Sequence, residues 1–366
     1  MSGFSLSRLL NPHERDGGAA GGAGAPSAGA QVFDHTADWA QAQVLPWAAA
    51  VDLSRADYDA GVERIHATRH DMLIYDVADG AVTLREPQRH HPTEFNRRIE
   101  AFRAGLYLEL LNNAVRMVGL DARFAVVVGV ADKVFDVDPR MPVFGYQRLK
   151  GERPMLLPDI EFQEHHFYER EHADLHPDEK VNQIVFSGAS TGKWLSDEDV
   201  ATDASERLSF AAHFVGHPQV KFSIGMAAEC STPEAEAMLR AKPYFHEVNW
   251  HDQMRSRFIF SMDGNGATCS RVLRGLKTRS VLLKLKSENE LYYFSGLIPW
   301  RHYIPIEDMA DLDRLAPQIT REDFPSDAIA DAANAFCAQH LTREKVTLYT
   351  GRLLRDFHTF VHARLA

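Results

Sequence analysis

The chain has 366 residues, of which 45% are hydrophobic and 25% charged, and a formal net charge of -11. This describes a globular protein long enough for two domains, and the acidic balance without a Lys/Arg block argues against nucleic acid, whose binding draws on a basic footprint. Cys230, Cys269 and Cys337 are odd in number and widely spaced, so neither a disulfide framework nor a paired zinc motif is expected.

The run DGGAAGGAGAPSAGA closes a low-complexity leader, residues 1–30. It lacks the apolar side chains that would offset its ordering entropy, and disorder is expected. No h-region of signal-peptide length is visible, and no run reaches the ~20 apolar residues of a membrane span. The expectation is a cytoplasmic protein, at most peripheral at the inner face of a membrane.

DMLIYDVADGAVTLRE (71–86) alternates apolar and polar residues around Asp79-Gly80, which predicts a hairpin. Residues 92–119 have helical spacing, with Phe95, Ile99, Phe102, Leu106 and Leu110 on the face expected to be buried. RFAVVVGVAD then reads as a buried strand running into a polar loop. Residues 140–180 are irregular, and EHHFYEREH (164–172) reads as an acidic, solvated segment with no metal-binding spacing.

From Val181 a strand-helix alternation sets in, with strands VNQIVFSG, QVKFSIGM, SRFIFSMDG and SVLLKLKS. Two long helical patterns close the chain. Such alternation predicts parallel α/β sheets, whose ligands lie beyond the carboxyl ends of strands. The expected division is an N-terminal domain over 31–177 and a C-terminal domain over 178–341, with a closing helix in 342–366.

Two strand-end loops carry the candidate chemistry. FSGASTGKW (186–194) falls short of a nucleoside-triphosphate loop: three residues instead of four separate Gly188 from Gly192, and Trp194 stands where a metal-binding hydroxyl is needed. A small-residue anion nest remains, holding Ser187, Gly188, Ser190, Thr191 and Gly192. In DGNGATCSR, Gly264 and Gly266 allow close backbone approach. Thr268 and Ser270 add hydroxyls, and Arg271 adds a fork suited to phosphate oxygens.

FIFSMDGNGATCSR, followed by SVLLKLKSENELYYFSGLIPWRHYIPIEDMADL, resembles the core of the capsule-associated, KDEL-type glycosyltransferase family 90. That family includes protein O-glucosyl- and O-xylosyltransferases, capsular xylosyltransferases and lipopolysaccharide-modifying enzymes. FSGASTG is similar to its Gly-Ser loop, SERLSFA to its arginine segment with Arg207, and VVVGVADKVFDVDPRMPVFGYQR to its strand and catalytic Asp. The resemblance implies a GT-B-like α/β fold, two Rossmann-like domains facing a cleft. It also implies inverting transfer of glucose or xylose from a UDP-sugar without a bound metal. The acceptor would be a glycan or lipid-linked glycan of lipopolysaccharide or capsule synthesis. Asp132 would be the base, with Asp136 and Asp138 as alternatives because DKVF replaces the family's Asp-Tyr/Trp-Pro. The donor would be held by the Ser187–Gly192 loop, Arg207, the Gly264–Arg271 segment and Glu290, with Glu288 as alternative to the last. A non-catalytic sugar-nucleotide or glycan-binding protein is the other reading.

Overall fold

The computed structural model describes residues 35–49, 53–132, 137–168, 174–267 and 270–365. Two five-stranded sheets organise it. The first contains β1 Met72–Ala78, β2 Ala81–Leu84, β3 Phe124–Gly129, β4 Phe144–Gly145 and β6 Met155–Leu156, in the order β2-β1-β3-β4-β6. The β1–β2 hairpin turns at Asp79 and Gly80, both at positive φ (51° and 73°), as a tight turn between twisted strands requires. β1 is antiparallel to β2 and β3, while β3, β4 and β6 run parallel. The antiparallel β1–β2 pair is the hairpin that the Asp79-Gly80 turn predicted. A two-residue turn can join only antiparallel neighbours, and parallel pairing needs a longer crossover.

The second sheet is parallel throughout. It contains β7 Val181–Ala189, β8 Val220–Met226, β9 Ser256–Ser261, β10 Val281–Leu285 and β12 Ile304–Ile306, in the order β12-β10-β9-β7-β8. β8 follows β7 on one side, and the later strands build outward on the other. The order therefore reverses between β7 and β9, and open α/β sheets bind ligands in the crevice at such a point. The short strands β5 Arg148–Leu149 and β11 Asn289–Glu290 pair with each other and tie the two halves of the chain together.

Five helices matter for the site: α1 His35–Ala48, α2 Glu94–Val118, α3 Glu206–His213, α4 Ser270–Lys277 and α5 Arg343–Phe360. α2 begins at Thr93, whose hydroxyl accepts the Asn96 amide. Its buried face is Ala104, Tyr107, Leu110, Leu111, Ala114 and Val115. Phe95 and Phe102, expected inside, are 73% and 53% exposed. The core that α2 covers begins only at its second half. α5 packs against α1 and α2, and the Tyr349 hydroxyl donates to the Leu156 carbonyl at 2.6 Å. α4 sends Val272, Leu273 and Leu276 into the first core, although it belongs in sequence to the second half. A second core fills one side of the parallel sheet with Phe186, Phe222, Phe258, Phe260 and Leu283. Among the described residues no helix is long and apolar enough to cross a membrane.

Candidate active site

The ends of β7 and β9 are held together by one buried arginine. Arg207 projects from the first turn of α3, a helix that Ser205 caps by accepting the Leu208 amide. Its guanidinium donates to the Ala189 carbonyl (2.6 Å) and the Thr191 hydroxyl (2.9 Å) on the β7 side. On the β9 side it donates to the Asp263 (3.0 Å) and Met262 (3.1 Å) carbonyls. Gly264 is required there, since a Cβ would fall 2.7 Å from Arg207 Nη2 and collide with the Thr191 hydroxyl. The sequence reading set Arg207 among the donor-binding residues; in the structure its guanidinium donates to three backbone carbonyls and the Thr191 hydroxyl and so shapes both loops.

The other members of the FSGASTGKW loop are also tied to the protein. Ser187 Oγ accepts the Val248 amide at 3.1 Å. Ser190 is fully buried, donating to the Ala228 carbonyl (2.6 Å) and accepting the Ala228 amide (2.8 Å). Gly188 lies on β7 beside Arg207. Gly192 donates its N–H to Asn265 Oδ1 (2.9 Å) and Glu229 Oε2 (3.2 Å), and Asn265 Nδ2 donates to Glu229 Oε1 (2.7 Å). Glu229 and Asn265 thus bridge the two loops. Neither was singled out in sequence, because nothing about their residue types marks them.

Arg271 sits in the first turn of α4 and reaches the same strand end. It donates to Gln253 Oε1 at 2.6 Å and to the Ser187 carbonyl, with its guanidinium 4.8 Å from the Phe186 ring centre and 5.9 Å from that of Trp250. Ser270 opens the helix, and Thr268 lies outside the described residues.

From the other half of the chain, Asp132 is brought to these loops. Gln147, buried, donates its amide N–H to the Asp132 carbonyl and accepts the Ala267 amide at 2.8 Å. A Cβ on Gly266 would overlap this glutamine, so glycine is what admits the contact. The Asp132 carboxylate stays half-exposed. Its Oδ1 accepts the Tyr146 hydroxyl at 2.6 Å, with Arg103 Nη2 3.7 Å away. Burial, and then the Asp132 charge, hold the Tyr146 phenol well above its ordinary pKa, so it remains a donor. Of the alternatives, Asp136 lies outside the described residues. Asp138 is partly buried and paired with Arg140 at 2.8 Å, which lowers its pKa to about 2 and makes it a poor base.

Sequence reasoning also passed over Asp159 and Glu161. Burial raises both carboxyls far above the usual range; the Asp159 charge raises Glu161 further, with Arg274 and Arg103 partly opposing there. EHHFYEREH is not a solvated segment where it is described: Phe167 and Tyr168 are buried. Glu290 is not in contact with Arg271. Its Oε2 pairs with Arg148 Nε at 3.1 Å on the wall of a separate cavity of about 420 Å³ shared with Lys284, Lys286 and Tyr303. Glu288 pairs with Lys150 at 3.6 Å at the surface. Among the described residues no group of three or more His, Cys, Asp or Glu is placed to hold a metal ion.

The loops at the switch point of the parallel sheet are thus faced by a carboxylate from the other half of the chain. The model of glycosyl transferase family 90 matches residues 137–365, and the chain belongs to that family. It is 26% identical over 121 residues to protein O-glucosyltransferase 1 of Mus musculus, covering 33% of this chain and 31% of that protein. To the human protein of the same name it is 25% identical over 121 residues, with the same shares. An O-glucosyltransferase rumi homolog of Aedes aegypti is 29% identical over 126 residues, 34% of this chain and 31% of that protein. The chain spans about a third of the length of these curated relatives in the matched region.

Proposed function

We propose that the protein is an inverting glycosyltransferase moving a sugar from a UDP-sugar to a hydroxyl of a glycan or lipid-linked glycan acceptor. The names of the relatives support glucose as the sugar; xylose is the other donor of the class. In this reading the two sheets form a GT-B-like pair, residues 31–177 and the last helix serving the acceptor and 178–341 the donor. The observation that carries the reading is the Gln147 amide, which ties Asp132 to the glycine loop leading into Arg271.

Asp132 takes the proton of the acceptor hydroxyl. Tyr146 occupies Oδ1 and leaves Oδ2 open for that task. The acceptor oxygen attacks the anomeric carbon from the face opposite the diphosphate. The bond from the anomeric carbon to the phosphate oxygen breaks, and its electron pair leaves on UDP. Arg271, with the amides at the start of α4 and in the strand-end loops, meets the growing negative charge. Arg207 keeps those loops in place, and no bound metal is called for.

The test is UDP release from UDP-glucose and UDP-xylose, with and without hydroxyl acceptors, in wild type, Asp132→Ala and Arg271→Gln. Turnover abolished in the first variant, with a raised donor KM in the second, supports the reading. UDP binding with no turnover under any acceptor would identify a sugar-nucleotide-binding protein instead. Turnover lost in EDTA and restored by Mg²⁺ or Mn²⁺ would overturn the metal-free step.

A further inference from the structure

Between the 164–168 turn and α4 lies a cavity of about 240 Å³ that the transfer steps do not use. His166, Phe167 and Tyr168 are consecutive residues at positive φ, 50°, 57° and 55°. Three side-chain-bearing residues in a row in that region persist only where the surroundings impose it. Phe167 is buried in the first core with the Arg343 guanidinium 4.7 Å from its ring centre, and Lys277 Nζ donates to its carbonyl at 3.0 Å. The outcome is that the Tyr168 ring turns into the cavity wall. Its hydroxyl is buried and makes no hydrogen bond, although the Ser270 hydroxyl is close enough to affect its titration.

Arg274 stands in the same wall, 5.8 Å from the Tyr168 ring centre and 5.6 Å from that of Trp250. It approaches His165 Nε2 at 3.4 Å and meets no carboxylate among the described residues. Burial and the Arg274 charge lower the pKa of His165, so it does not add a competing cation. The acidic groups nearby do not cancel Arg274. Asp174 is committed to Lys180 Nζ (2.6 Å) and the Arg279 amide (2.6 Å), and Glu164 is at the exposed rim. Asp159 and Glu161 hold their protons more tightly than ordinary carboxyls.

A guanidinium that meets no carboxylate among the described residues, an unused hydroxyl donor and an indole face suit a ligand with an anionic group on a ring. Arg271 and Arg274, one helical turn apart, both flank Trp250, so the cavity adjoins the transfer site. We propose that this cavity binds a sugar unit of the acceptor that bears a phosphate or a carboxylate, placed by Arg274 and the Tyr168 hydroxyl. The acceptor assignment rests on the glycosyltransferase reading; the anion site does not.

The experiment is calorimetric titration with glucose 6-phosphate and with glucuronate, with glucose and inorganic phosphate as controls, with and without saturating UDP. Binding of either anionic sugar in the presence of UDP, well above glucose, is expected, and the stronger arm tells phosphate from carboxylate. Arg274→Gln should weaken it roughly ten-fold or more and Tyr168→Phe less, whereas Arg274→Lys keeps part of it. No binding of either probe, or binding untouched in Arg274→Gln, overturns the proposal. Displacement of the probes by UDP overturns the acceptor assignment by making the cavity part of the donor site. A protein that takes the anionic sugar but never UDP breaks the functional reading and leaves the cavity assignment standing.

Discussion

Among the described residues the Arg207 guanidinium makes four hydrogen bonds to protein oxygens from a residue only 7% exposed, whereas the Asp132 side chain is 38% exposed and accepts one hydrogen bond. The first region uses its polar groups to fix loop shape. A buried charge is tolerable there because nearby carbonyls replace water. The second keeps carboxylate lone pairs available for a substrate hydroxyl. Damage to the first should therefore show in folding, and damage to the second in turnover. The largest expected effect is at Asp132: Asp132→Asn should cut turnover by roughly 10²–10⁴, while its urea-unfolding free energy stays within about 0.5 kcal/mol of wild type. A large fall in stability would erase the contrast between the regions.

Arg207→Met tests the other side. It strips hydrogen-bond donors from the Ala189, Met262 and Asp263 carbonyls and the Thr191 hydroxyl. The expected loss is about 3 kcal/mol or more in chemical denaturation. Weaker UDP binding should follow, because the loops lose their shape. Near-normal stability would mean that water enters and takes over the guanidinium's place. Gln147→Leu sharpens the comparison, since this residue touches both regions. It leaves the Ala267 N–H and the Asp132 carbonyl without a partner, at about 1–3 kcal/mol. It is the one variant expected to lower stability and turnover together.

These residues differ in how far sequence could reveal them. The DG turn, the strand-helix alternation after Val181 and the two glycine loops are written in local patterns, and they led to the switch point of the parallel sheet. Asp132 and Arg271 came from motif resemblance, and the structure places both beside that crevice. The hold of Arg207 on the two loops was not legible, because side-chain type does not tell which carbonyls lie opposite. The setting of Glu290 was hidden for a similar reason. Its partner Arg148 is 142 residues away and meets it only through the β5–β11 pairing. On α2 the periodicity was real, but it ran past the edge of the core at Phe95 and Phe102. Tyr168 was hidden by its polar neighbours, since the turn that buries it depends on Phe167 finding the first core.

The smallest expected effect on turnover comes from the surroundings of two buried histidines. Burial lowers the pKa of His302 and His362 to about 4. His302 Nδ1 accepts the Ile298 amide at 3.1 Å and its ring packs on Phe336, while His362 packs among Tyr58, Phe124 and Phe357. Both are neutral in the fold, and the unfolded chain takes up protons first, near the ordinary histidine pKa of about 6.5. Their contribution to stability is therefore complete above about pH 6.5, falls as the pH drops toward 4, and changes no further below that. Thermal melts between pH 7.5 and 4 should show a decline in this window. His302→Asn preserves an acceptor for Ile298, and His362→Phe preserves the aromatic packing. Each should flatten part of the decline, and the pair most of it. An unchanged slope in the double variant would assign the acid sensitivity to carboxylates rather than to these rings.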